Sequence, residues 1–440
     1  MILKPEVMLK ENNHKVLLTA FFTVVLIVSM VNLNLPYRAV ANPLSGMEGL
    51  FPVERDPNGI YIEANGTITP ASAPVRREGN TYTLTGDLID RSIWVLCSDV
   101  VFDGAGHSLN YNQSLFDRGV TFNGTYLTLK NLQVNGYSCG VALNSAGKYQ
   151  KSFCNTIINC TFNNNEVGVR ALRSVGNQIL NNTLVNNTIG IQMELYCDEN
   201  FIVGNQFKGN TKALFFDQCN NNTITNNQII QNSIYGLELK GASNNTVYCN
   251  NITENGLGIL VEGTIGGGES NNACFNLITN NQIAKNLQWG LVLNGSQIDN
   301  QIYANNFIDN NLGQGLQVSI PMIMELSSDL LSYKLLPGQR NTWNNDSIGN
   351  YWSDYQARYP NATVNASDWD TPFYINENNI DQHPLVNPFN IETSDIGEQQ
   401  QTNLNTQTTP PPYTAIIVVA MICIIATVLI LIRKNSKKVT

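Results

Sequence analysis

Charged side chains are sparse in this chain, at 13% of residues, yet several recur at one spacing: Glu194, Asp217, Lys240 and Glu262, with Arg170, Gln192, Phe215 and Glu238 in a second series two residues earlier in each unit. A strand sends alternate side chains to opposite faces, so with Ile191 and Met193 inward, Gln192 and Glu194 point outward. If successive units stack, both series become outward columns on one face. Glu194 and Asp217 then stand about 4.8 Å apart, one strand spacing, where mutual repulsion raises a carboxyl pKa or a cation binds between the two acids. Paired carboxylates are also what glycosidic cleavage requires. The expected catalytic set is therefore Glu194, Asp217, Glu238 and Glu262, and the expected binding set is Arg170, Gln192, Phe215 and Lys240. The competing reading is a solvated face in which Lys240 and Arg170 merely balance the acids.

That stacking must come from the repeats. Asparagine returns at Asn155, Asn177, Asn200, Asn222, Asn245, Asn276 and Asn300, in steps of 22, 23, 22, 23, 31 and 24 residues. A second column lies five residues on, at Asn182, Asn205, Asn227, Asn250, Asn281 and Asn305, with Cys160 in the first unit. A third lies ten residues on, from Asn165 and Asn187 to Asn310. Apolar columns run between them, including Ile179, Ile202 and Ile224, then Leu184, Phe207 and Ile229. Asn disfavours helix interiors and suits tight bends, so each unit reads as short strands joined by three turns. Self-similarity at this period means stacked units, and winding them about an axis places like on like. Asn amides can then bond along the axis as ladders while the apolar columns fill the bore. The predicted fold is all-β, a single-stranded right-handed parallel β-helix of about 22–23 residues per rung. A leucine-rich repeat needs a Leu framework that is absent here.

The ends predict export. Residues 1–41 read as a signal peptide, with Lys4, Lys10 and Lys15 before an apolar run and Ala39-Val40-Ala41 at its end. Leader strands follow over 42–80, the β-helix over 81–320 and a C-terminal cap over 321–392. Residues 393–412 read as a disordered stalk and 413–433 as a transmembrane helix, since Thr414 to Ile432 carries no charge over 19 residues. The basic tail, 434–440, is expected in the cytoplasm and the large domain at the cell surface.

Thirteen Asn-x-Ser/Thr sequons are glycosylation candidates: Asn65, Asn112, Asn123, Asn159, Asn181, Asn186, Asn221, Asn244, Asn251, Asn294, Asn345, Asn361 and Asn365. Outside the predicted anchor there are eight cysteines, an even number. Cys197 and Cys219 each precede a repeat Asn by three residues, which stacks them on adjacent rungs and predicts a disulfide between them. A net charge of −9 without a basic patch outside the tail argues against nucleic acid as a partner.

These residues resemble the NosD-like branch of right-handed β-helix proteins, whose repeats are called carbohydrate-binding and sugar-hydrolysis repeats. The likeness includes Val101-Phe102-Asp103-Gly104-Ala105-Gly106-His107 as a first-rung signature. It also includes Gly349-Asn350-Tyr351-Trp352-Ser353-Asp354-Tyr355, Asp370-Thr371-Pro372-Phe373 and His383-Pro384-Leu385 as a closing motif. The resemblance implies calcium in a Gly-rich closing loop, but the loop here, Asn365 to Asp370, holds no glycine. It also implies copper delivery, for which His107 and His383 lie far apart in the sequence. No cofactor is therefore expected. The expected function is a membrane-anchored extracellular protein that binds glycans or neighbouring surface proteins. A polysaccharide lyase or glycoside hydrolase is the alternative, and copper delivery comes third.

Overall fold

The computed structural model describes residues 55–391, apart from 113–117, 145–151, 264–271, 296–297, 314, 322, 327–332 and 337–339. The expected signal peptide, stalk, membrane helix and tail lie outside the described residues. No helix among the described residues is long and apolar enough to cross a membrane.

From Asp56 onward the chain winds into a parallel β-helix with three sheets of 12, 11 and 11 strands, called A, B and C. One rung shows the pattern. Phe201–Val203 joins sheet B, Gln206–Lys208 joins sheet C and the longer Lys212–Asp217 joins sheet A. Like stacks on like, as Ile179 on Ile202 on Ile224 and Leu184 on Phe207 on Ile229, all fully buried. A parallel register that is kept from rung to rung holds such columns inside, because a one-residue slip would turn each outward.

The corners follow one rule. The residue before each ladder Asn takes a left-handed conformation, such as Asn181 (φ 52), Asn186 (φ 54), Asn221 (φ 57) and Gly204 (φ 68). The side chains of Asn181, Asn186 and Asn221 face solvent, and the Asn that follows each turns inward. There Asn182 donates its backbone N–H and its Nδ2 to Asn205 Oδ1, at 2.9 and 3.0 Å. Asn205 Nδ2 donates to Asn227 Oδ1 at 3.1 Å and to the Ile179 carbonyl at 2.8 Å. Asn200 treats Asn222 in the same way, with both distances 2.9 Å. The buried carboxamides of Asn200 and Asn205 thus each accept two bonds and donate at least two, which satisfies them at the turn.

Glycine stands second in most of the long sheet A strands, where a Cβ on Gly168 or Gly190 would lie 2.6 Å from the next rung's carbonyl. Ala213 occupies this column in the following rung and the register is unchanged, with Ile189 on Lys212 and Ile191 on Leu214.

All three ladders run past the last regular repeat. The first continues from Asn300 to Asn341 and Asn379, and the second from Asn305 to Asn350 and then Asp381. The third passes from Asn310 to Gln317 and on to the Asp354 carboxylate at 2.7 Å. Over this end lies a stack of aromatic rings, Phe307 on Trp352 on Phe373, with centres 4.6 and 4.2 Å apart. Trp343, Tyr355 and Trp369 are buried beside it. Residues that broke the repeat pattern include an antiparallel hairpin, Ile323–Leu326 with Tyr333–Leu336.

Candidate functional site

Sheet A has the widest strands, so its outer face offers most side chains per rung. The structure places Glu194, Asp217, Lys240 and Glu262 in one column by direct register, and Arg170, Gln192, Phe215 and Glu238 in the adjacent one. All eight residues singled out from the sequence therefore share one face.

Their pairing differs from the paired-acid expectation. Arg170 Nη2 lies 3.0 Å from Glu194 Oε2, and Lys240 Nζ lies 3.8 Å from Asp217 Oδ2. Glu194 is thus drawn toward the preceding rung and Asp217 toward the following one, although the two are register neighbours. Lys212 Nζ lies 2.6 Å from Glu238 Oε2, and Glu238 is only 5% exposed. Glu262 accepts a hydrogen bond from Asn294 Nδ2 at 3.1 Å. Each acid answers a donor on another rung, and no group of three or more metal-binding side chains occurs among the described residues.

Two contributors were missed. Lys212 and Tyr235 belong to a third outward column, stacked between Ile189 and Leu257. The Lys212 ammonium lies 4.7 Å from the centre of the Phe215 ring and 5.2 Å from that of Tyr235. Cation–π contact and the short ion pair together fix this lysine. The same unit alignment would have found the column, which stands three residues before the one containing Phe215. Beyond it a small apolar patch, Leu257, Leu260 and Val292, packs against Tyr235 and Trp289.

The disulfide expectation is corrected. Cys197 and Cys219 do stack on adjacent rungs and are fully buried, but both are free thiols, as are the other six described cysteines. Side chains stacked in parallel register keep their Cβ atoms about one strand spacing apart, whereas a disulfide draws Cβ atoms to about 3.8 Å. The pair interacts as thiols instead. A hydrogen bond from Cys219 holds Cys197 below the usual thiol range, while burial and then Cys197 push Cys219 up. Cys160 stands in a ladder position, where burial pushes its thiol up to about 12.

Five of the sequons have a structural origin. Asn159, Asn181, Asn186, Asn221 and Asn244 are exposed left-handed corner residues, each followed by a ladder position and then by the Thr that resumes the chain. The corner rule alone writes Asn-x-Thr there.

Elsewhere, chemistry serves the fold. Asp103 Oδ1 accepts from Ala105 N at 2.9 Å and Asn131 Nδ2 at 3.1 Å, closing the first-rung turn. His107 lies 3.4 Å from Asp87, and His383 lies 3.2 Å from Asp368 in the cap. The Asp370 carboxylate is held low by the Thr363 hydroxyl, the Thr363 backbone N–H and the Thr371 hydroxyl, so hydrogen bonds close the loop for which calcium was considered.

The profile of the family described as "Periplasmic copper-binding protein (NosD)" matches residues 108–266 and 195–320. A search of curated proteins gave no match. Among solved structures, a double mutant of the periplasmic alginate epimerase AlgG is 15% identical with a TM-score of 0.48, over 64% of this chain and 76% of that one. The A-module of the Azotobacter vinelandii mannuronan C-5 epimerase AlgE6 is 13% identical with a TM-score of 0.37, over 62% of this chain and 81% of that one. Tailspike protein 2 of an Escherichia coli O157:H7 bacteriophage is 13% identical with a TM-score of 0.39, over 55% of this chain and 37% of that one.

Proposed function

Taking the chain as a NosD-like parallel β-helix protein, we propose that it is an exported surface protein whose sheet A face binds glycans. The observation that carries this is the face itself. Three ion pairs bridge successive rungs there, beside Phe215 and Tyr235, on an outer surface that repeats along the axis. A linear chain of hydroxyl-bearing rings meets donors, acceptors and aromatic surface at regular intervals on such a floor. Neighbouring surface proteins are the other partner class. In this proposal residues 1–41 direct export, 413–433 anchor the chain and 393–412 hold the solenoid away from the membrane.

The geometry favours binding over cleavage, because each carboxylate faces a donor and not a second acid. Replacing Glu194 and Asp217 together by alanine should weaken retention of the full chain on a glycan array by roughly tenfold. Equal retention would remove this face as the site, and released sugar products lost in the double variant would establish the enzyme reading instead. Protease digestion of intact cells tests the topology. A solenoid protected from added protease would place it inside.

Copper binding, the property in the family's description, finds no cluster of donors among the described residues. Both described pairings of histidine are with carboxylates, and no described cluster of His, Cys, Asp and Glu reaches three members. Copper prefers clustered imidazole or sulfur ligands.

A further inference from the structure

We infer that the outer face of sheet A selects uncharged glycan chains and excludes polyuronates; this deepens the glycan-binding proposal and rests on it. The strands of the sheet carry Arg118, Arg170, Lys212 and Lys240 against Glu194, Asp217, Glu238 and Glu262, four cations and four anions with a sum of zero. The whole chain is at −9. A local balance within so acidic a protein removes the attraction that a polyanion needs, and the surrounding field adds repulsion.

The balance is built pair by pair. Arg170 is held by Glu194, Lys240 by Asp217, and Lys212 by Glu238 between two aromatic rings. Of the remaining two charges, Arg118 stands toward the N-terminal end of the sheet and Glu262 toward the other, where Asn294 binds it. A carboxylate on a ligand would have to displace Glu194 or Glu238 from its cation and leave that acid facing like charge. A hydroxyl has no such conflict, since it can accept from a cation and donate to a carboxylate at once. The half-buried rings of Tyr235 and Trp289, seated on buried Leu257, Leu260 and Val292, add apolar surface suited to the C–H face of a sugar ring.

The test uses the detergent-solubilised full chain on glucan, mannan and galactan oligosaccharides, with polygalacturonate and polymannuronate as the charged probes. The expected result is retention on at least one neutral chain, roughly tenfold tighter than on either polyuronate at low salt. Glu238→Gln and, separately, the more exposed Glu194→Gln should each unmask a cation and raise polyuronate binding by roughly tenfold, an increase that added salt abolishes. Wild-type preference for a polyuronate overturns the inference while sparing glycan binding. So does a folded Glu194→Gln variant with unchanged selectivity. Retention on no chain at all overturns the glycan proposal itself.

Discussion

In the rungs from Asn155 onward each corner except that at Cys160 closes on a buried carboxamide, whereas one rung earlier the same three positions hold Leu127, Leu132 and Tyr137. The difference follows from the direction of the ladders. Bonds from one ladder amide to the next all donate toward the C-terminal end, so each carboxamide oxygen accepts from the rung before it and a residue that starts a ladder need accept nothing. Leu127 and Tyr137 enter the ladders through their backbone N–H groups, which donate to Asn155 and Asn165 Oδ1 at 2.9 Å each. At the far end the polarity reverses the demand. Donors arrive without a next rung, and the second and third ladders finish on the acceptors Asp381 and Asp354. A polar solenoid core is therefore vectorial, with an apolar start and an acidic finish.

The sharpest way to break this contrast is to put leucine where the ladder forbids it. Asn205→Leu strips the Asn182 N–H and Nδ2 of their acceptor and the Ile179 carbonyl of a donor. At about 1–3 kcal/mol for each buried group left unpaired, the loss should be on the order of 4 kcal/mol in urea unfolding. A loss below about 1 kcal/mol would show that the ladder is dispensable.

The acidic finish makes a pH prediction. Asp381 is completely buried, and burial pushes its pKa up to about 6 despite bonds from the Asn350 N–H, Trp352 Nε1, His383 N–H and Asn350 Nδ2. The folded state then holds this proton more tightly than the unfolded chain, whose Asp titrates near 3.9. Its contribution is fully present below about pH 4 and is lost as pH rises through about 6, a change on the order of 3 kcal/mol. Asp381→Asn should flatten the profile over that window, and an unaltered slope would assign the proton elsewhere.

Cys160 lies on the boundary between the two regions and sharpens it. Its thiol is a weak acceptor for the Leu132 N–H in a position where later rungs use Asn. Cys160→Asn should extend the second ladder by one rung and stabilise the fold by up to about 1 kcal/mol. The smallest effect concerns the left-handed residues outside the ladder. Asn181→Ala should cost about 1 kcal/mol and Asn181→Gly less, because glycine takes this conformation freely, as Gly204 does at the same corner one rung on. Equal costs for the two would point to the side chain instead of the backbone.

Period, columns and interior were legible because each depends on contacts between residues one rung apart, and the rung length is printed in the spacing of Asn and Ile. The sheet A columns were legible for the same reason, even across Ala213. Lys212 and Tyr235 were overlooked only because they begin their strand outside the two columns that were aligned. The ladder ends at Asn341, Asn350 and Asp381 were hidden by steps of 41, 45 and 31 residues, which no short-period pattern reports.

The amino-acid order alone determined that equivalent side chains lie above one another, since nearest-neighbour stacking needs only a recurring phrase with fixed offsets inside it. The folded chain decided what each polar group does there. It drew Glu194 and Asp217 to different cations, kept Cys197 and Cys219 as thiols, and gave the ladders their carboxylate ends. Those outcomes depend on where side-chain tips point within a column, on angles and distances of an ångström or so, and a column's membership does not fix them.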